Sequence, residues 1–374
     1  MITLQPRTSN TTADTSNEQH TLLRLSSANG PVYRQVKSTP LRDARPDEIP
    51  LIDISGIFSD SLKERQAIAT QIHEAATSNG FFYVKNHRVS PSVIKSAYES
   101  SLEFFRQPED IKQRVNAALS PYINGWNAPK TQRINQAESV DVRESFSFRY
   151  NPTYDPAVHG SLEEIPAEVR QHLVTNEFCW ENTTNLPNFK LDVIDYWREM
   201  LNLARHLTRS FALALTLPED HLDSKITYPD AGVGLNYYPS IPPSDPGSEE
   251  QVSIGSHTDF QLFTILWQDS NGGLQVLNRE GEWINAAPIE ETFVVNIGDY
   301  LQRITNDRYV STVHRARNLS GKERISMPLF FGFNLNETCG VLDSCVDEDH
   351  PRKYEAISCK EWVDLRVKAM HTTD

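Results

Sequence analysis

A histidine and an aspartate stand two residues apart, His257 and Asp259, in the run SIGSHTDFQLFTILWQ. On an extended strand, residues at period two project to one face. An imidazole nitrogen and a carboxylate oxygen on one face are two-thirds of a metal site. A second histidine, distant in sequence, would complete it, and His314 in VSTVHRARN is the candidate. Two histidines and one carboxylate leave three positions open on an octahedral ion, the arrangement suited to non-haem Fe(II) and O2. Arg324-Ile-Ser326 follows ten residues after His314. A guanidinium fork and a hydroxyl at period two match a carboxylate, which a 2-oxo acid beside the metal would provide.

These side chains need strands to hold them. From about residue 231 the chain breaks into short β-type runs: GVGLNYYP, SIGSHTDFQLFTILWQ, GGLQVLN, EWINAAP, TFVVNIGDY, YVSTVHRA and ISMPLFFGFN. Gly, Asn, Asp and Pro punctuate them, which predicts a sandwich or barrel. A jelly roll closes such strands with few exposed edges. The fold expected is mainly β with flanking helices. Its double-stranded β-helix core is buttressed by a long helix over 186–220 and by an N-terminal α/β segment. Residues 1–30, rich in Thr, Ser, Asn and Gln, are expected to be a flexible tail. Residues 31–180 form the α/β segment packed on the core, with 31–48 an extended surface arm. Residues 181–374 supply the helical spine, the jelly roll and a last helix opened by the capping box Ser358–Glu361. The two parts are read as one catalytic unit. The Pro- and acid-rich stretch 241–251 reads as a loop. Asn296 and Asp299, in VVNIGD, are expected to shape a turn.

Composition narrows the class. A chain of 374 residues can bury a sizeable core, and its formal net charge of −14 argues against a nucleic-acid partner. No apolar run has the length of a membrane span. No secretory pattern is visible at the N-terminus. The four cysteines lack metal-type spacing and read as reduced thiols of a cytoplasmic protein. Nothing specifies a protein partner.

Taken together, HTD, the later His and RxS, preceded by NYYP at 236–239, resemble the isopenicillin N synthase-like family of non-haem Fe(II), 2-oxoglutarate-dependent dioxygenases. GFFYVKNH, LPNF, GGLQV, EWINAAP, VVNIGDYLQRITNDRYVSTVHR and ERISMPLFF extend the likeness over most of the chain. The resemblance implies that His257, Asp259 and His314 ligate iron. It implies that Arg324 and Ser326 bind the distal carboxylate of 2-oxoglutarate. Tyr238 would hydrogen-bond this co-substrate, and Asn236 would lie near its metal-bound end. O2 would be consumed and succinate and CO2 released. An unactivated C–H bond of a small molecule would be hydroxylated, desaturated or drawn into ring closure or expansion, as in specialised metabolism. The pocket candidates are Tyr122, Trp126, Phe146, Phe148, Gln261, Phe263, Phe331 and Phe333, which together suggest a lipophilic or aromatic substrate. Two alternatives stay open. One is an oxidase that dispenses with 2-oxoglutarate and uses RxS for the substrate's own carboxylate. The other is a non-catalytic binding protein on the same fold.

Overall fold

The computed structural model describes residues 20–122, 124–239 and 251–371. Of the seventeen strands among the described residues, fifteen concern the two main sheets and the N-terminal hairpin; the other two, Thr338–Cys339 and Ile357–Ser358, pair with each other. In the N-terminal part these are β1 His20–Ser27, β2 Gly30–Lys37, β3 Arg42–Asp43, β4 Leu51–Asp53, β5 Phe81–Lys85, β6 Gly125–Asn127 and β7 Glu144–Phe148. After the long helix come β8 Ala231–Tyr238, β9 Ile254–His257, β10 Phe263–Gln268 and β11 Leu274–Leu277. Next come β12 Trp283–Asn285, β13 Phe293–Ile297, β14 His314–Ala316 and β15 Arg324–Phe331.

The larger sheet has eight strands in the order β4-β5-β13-β10-β15-β8-β7-β6. The smaller has five, β3-β12-β11-β14-β9. Phe81, Tyr83 and Val294 of the larger sheet pack on Leu274, Val276 and Ile284 of the smaller, so the two sheets face each other across an apolar layer. This is the expected jelly-roll core, open rather than a closed barrel.

The outer face of the larger sheet rests on the helix Phe189–Ala214. Val193, Trp197, Met200, Ala204, Leu207 and Phe211 advance by three or four residues and are all buried. Two aromatic tips find strand carbonyls: Tyr196 Oη donates to Met327 O at 2.7 Å, and Trp197 Nε1 to Ala231 O at 3.3 Å. The helix is shorter than the 186–220 pattern, because Leu215 and Thr216 leave helical geometry, Thr216 at φ +59°. Both faces of β15 are therefore covered, one by the helices and one by the smaller sheet, and only Phe330 of this strand is exposed.

Two expectations are corrected. Residues 20–30, expected to belong to a flexible tail, instead form a hairpin: β1 pairs with β2 from His20↔Lys37 to Ser27↔Gly30. The rest of the tail, like most of the 241–251 loop, lies outside the described residues. The segment 31–180 is also more than a layer packed on the core. It contributes β4, β5, β6 and β7 to the larger sheet itself and β3 to the smaller. The short pattern of these strands concealed how far they extend the sheet. The last helix, Cys359–His371, opens as expected: Glu361 N–H donates to Ser358 Oγ at 3.2 Å, and Ser358 N–H to Glu361 Oε2 at 3.2 Å.

Candidate active site

β9 and β14 are neighbours, and His257 stands directly opposite His314 in their register. The rings lie 4.3 Å apart between centroids. Asp259 follows the end of β9, and its Oδ1 is 3.7 Å from His257 Nε2 and 3.8 Å from His314 Nε2. Ligand atoms that share one ion at about 2.1 Å each are separated by roughly 3–4.2 Å, so both spacings suit a common metal.

The nitrogen roles also fit. His257 Nδ1 is 2.8 Å from Gly255 O and His314 Nδ1 is 3.1 Å from Thr312 O. A carbonyl only accepts, so the proton belongs on each Nδ1 and each Nε2 keeps its lone pair. Burial holds the His257 imidazole well below its ordinary value, down to about 3, and the neighbouring His314 adds to this. The ring is thereby kept neutral, as a ligand must be. Burial pushes the Asp259 carboxyl up, but His314, His257 and the hydrogen bonds from Asn296 and Thr264 outweigh it and hold it below the usual range. Thr264 Oγ1 donates to Asp259 Oδ2 at 2.6 Å and Asn296 Nδ2 at 2.7 Å. With Oδ2 tied, Oδ1 is the oxygen left for a metal. The donor set of three fits Fe(II).

This corrects one expectation: Asn296 shapes no turn. It sits within β13, opposite Thr264 of β10, and both reach the same carboxylate oxygen. Asp299 does open a helix, Asp299–Ile304, but its Oδ2 also accepts from Thr258 Oγ1 at 3.0 Å and lies 2.9 Å from Arg366 Nε. Arg366, on the last helix, is buried, and it further donates to Thr258 Oγ1 and to Ser26 O. It thus clamps the turn between the two ligands of the HxD pair.

The residues expected to anchor a carboxylate come together from β15 and β8. Arg324 pairs with Tyr238 and Ser326 with Asn236, so all four side chains share the inner face. The Tyr238 hydroxyl is 3.1 Å from Ser326 Oγ, and the Arg324 guanidinium lies 4.5 Å over the Tyr238 ring. Arg324 is 1% exposed, and its Nε and Nη1 have no partner. Its Nη2 donates to Gln268 Oε1 at 3.2 Å. Thr264, Gln268, Arg366 and Arg143, which donates to Asn236 Oδ1, were missed in the sequence. For Thr264 and Gln268 the available signal was a polar residue inside the otherwise apolar strand β10, which must find a partner when buried.

The aromatic pocket candidates fail on parity. Register places Phe146 opposite Leu235, Phe148 opposite Val233, Trp126 opposite Phe146, and Phe263 opposite Phe331. These residues alternate with the inner-face positions and point to the helices. Phe146 packs on Phe104, Trp180 and Phe189, and Phe148 on Trp180 and Trp197. Phe263 meets Phe211, and Phe333 meets Tyr300. All six are hydrophobic core, not pocket lining. The inner face at these levels carries Asn127, Ser145, Ser147, Gly232, Gly234 and Phe330 instead. Phe330 is 41% exposed against 0% for Phe331, which marks the open end of the interior. Tyr122 lies at that end, lining a cavity of about 30 Å³ with Arg149 and Asp230. Gln261 is buried and donates to Asp230.

Residues 229–333 match the model of the 2OG-Fe(II) oxygenase superfamily, and residues 49–165 that of "non-haem dioxygenase in morphine synthesis N-terminal". The "2-oxoglutarate-Fe(II) type oxidoreductase ppzC" of Metarhizium majus is 53% identical over 363 residues, 95% of this chain and 96% of that protein. The chain belongs to the 2-oxoglutarate- and Fe(II)-dependent oxygenase family. This oxygenase is also similar to a full-length Neurospora crassa protein solved in complex with α-ketoglutarate, at 27% identity and a TM-score of 0.74, covering 89% of this chain and 100% of that one. The same Neurospora crassa protein solved with α-ketoglutarate and thymine gives 26%, 0.70, 87% and 98%. The oxygenase is thus an enzyme of the iron- and 2-oxoglutarate-dependent class, which speaks against the reading as a mere binding protein. No helix among the described residues is long and apolar enough to cross a membrane.

Proposed function

We propose that the oxygenase holds iron through His257, Asp259 and His314, anchors the distal carboxylate of 2-oxoglutarate through Arg324, Ser326 and Tyr238, and oxidises an unactivated C–H bond of a small molecule. The reading rests on one observation above all. Arg324 is a buried guanidinium that makes no ion pair among the described residues and has two unpartnered nitrogens. A buried charge without a partner is expensive, and a carboxylate delivered into the interior compensates it.

Bound iron supplies the redox chemistry that couples O2 and 2-oxoglutarate to C–H oxidation, with succinate and CO2 as by-products. The chain's own part is orientation. Thr264 and Asn296 fix the Asp259 carboxylate, and two backbone carbonyls fix the histidine rings. Arg324, Ser326 and Tyr238 set the depth to which the co-substrate enters. Substrate approaches over Gly232, Gly234 and Ser147, with Phe330 at the rim, so small and polar residues replace most of the expected aromatic lining. That lining supports a substrate with polar groups over a purely lipophilic one. Four buried, unpaired cysteines support a reducing compartment such as the cytoplasm.

The test is an oxygen-free titration of the Fe(II)-loaded protein with 2-oxoglutarate, followed by its visible charge-transfer band. Arg324→Met should weaken binding by about 100-fold, the worth of a charge-assisted double contact. Equal affinity in the variant would remove Arg324 from the anchor.

A further inference from the structure

We propose that Arg143 is a positioning residue for 2-oxoglutarate, turning the Asn236 carboxamide so that its N–H2 group faces the co-substrate. The inference rests on the anchor described above and adds a member to it. Arg143 directly precedes β7, in DVRESFSF.

A carboxamide has two ends of opposite hydrogen-bonding sense, and its neighbours decide which way it points. A guanidinium only donates. Arg143 Nη1 donates to Asn236 Oδ1, so the amide oxygen is committed to Arg143. The amide nitrogen is then left turned toward Ser326, with Nδ2 3.5 Å from Ser326 Oγ. In that orientation every group on this part of the inner face presents a donor: the Arg324 guanidinium, the Ser326 and Tyr238 hydroxyls and the Asn236 amide. The opposite orientation would aim a carbonyl oxygen at an anion and replace attraction by repulsion.

Arg143 is equipped for this, although its charge also offsets part of the burial that pushes up the Asp141 carboxyl. It makes no ion pair among the described residues, and its Nε is buried without a partner. Its Nη2 donates to Gln132 Oε1 at 3.1 Å, which keeps the fork in place. Gln132 belongs to the loop that also reaches the ligand strand: Asn135 Nδ2 donates to Ser256 O at 3.0 Å, and Glu138 Oε1 accepts from Ser256 Oγ at 2.8 Å. The loop that covers β9 thus also sets an amide beside the co-substrate.

The experiment is calorimetric titration of the full-length, Mn(II)-loaded protein with 2-oxoglutarate. Arg143→Met should weaken 2-oxoglutarate by roughly 10- to 100-fold, the range for a hydrogen bond to a charged group. Arg143→Lys should recover most of that loss, and Mn(II) affinity should stay unchanged in both. In an Asn236→Ala background, Arg143→Met should cost less than about threefold, because the residue it orients is gone. Asn236→Asp guards against a variant that fails to fold. It keeps a partner for Arg143 but offers the co-substrate an acceptor, and it should abolish binding. Wild-type affinity in Arg143→Met or Asn236→Asp overturns the proposal, as does an equal loss with and without Asn236. Failure of the wild-type protein to bind 2-oxoglutarate would instead overturn the anchor itself.

Discussion

Asn296 offers a way to separate holding the metal from holding the fold. Asp259 Oδ2 accepts from Asn296 at 2.7 Å and from Thr264 at 2.6 Å. Both are hydrogen bonds to a buried ionised group, each worth roughly 1.5–3 kcal/mol. They exist with and without metal, so part of this worth cancels from metal binding. What remains is the freedom that the carboxylate gains to rotate Oδ1 away from His257 and His314. Partners that orient metal ligands change affinity by about 10- to 100-fold. Asn296→Ala should therefore weaken Co(II) or Fe(II) binding about tenfold, and Asn296→Ala combined with Thr264→Val about 100-fold. Equilibrium dialysis against Co(II) measures the affinity, and urea unfolding of the metal-free protein measures stability separately. Metal affinity within twofold of wild type in the double variant would refute the idea that these two residues fix the ligand.

Other perturbations have equally definite outcomes. Phe331→Ala should cost about 3–5 kcal/mol of stability, while Phe330→Ala, one residue away but exposed, should cost under about 1 kcal/mol and change substrate turnover instead; similar unfolding curves for the two would contradict the assigned faces. Arg366→Met should cost about 3 kcal/mol in urea unfolding, because it leaves the Asp299 carboxylate without its buried partner. The Arg42 guanidinium, bonded to both oxygens of Glu48 at 2.7 Å, holds that carboxyl at about 2 against an ordinary 4.5. A depressed carboxyl stabilises the fold above its ordinary value, and this contribution is lost as pH falls toward 2. Glu48→Gln should thus be less stable than wild type at neutral pH, with the difference closing below about 4.5; a gap that persists unchanged in acid would speak against the pairing.

The clustering of His257, Asp259 and His314, and of Arg324 with Ser326, was legible because the chemistry expected of them fixes both residue type and period. His257 and Asp259 need only a strand end, and Arg324 and Ser326 only alternation. The pocket was not legible, and the reason is geometric. Aromatic residues in FSF and PLFF draw attention as substrate contacts, yet period two assigns Phe146, Phe148 and Phe331 to the face packed on the long helix. A slip of one residue in the choice of face reverses every assignment on a strand. Asn296 was misread for a related cause: next to Gly298 it resembles a turn residue, whereas its partner Asp259 is 37 positions away and unseen in sequence. Arg143 and Arg366 depend on contacts between segments remote in the chain, with Arg366 reaching Ser26 across 340 positions. The hairpin of β1 and β2 escaped notice because its polar composition suggests a tail, while pairing with a neighbouring strand satisfies its backbone.

Release of CO2 from 2-oxoglutarate labelled at its C1 carboxyl is the most direct test that His257, Asp259 and His314 form the working centre. The wild-type chain should release label only when Fe(II) and O2 are both supplied. Asp259→Ala should release none while its circular dichroism and unfolding midpoint show a folded protein. Label released by Asp259→Ala at the wild-type rate, or none from the iron-loaded wild-type chain, would contradict that assignment.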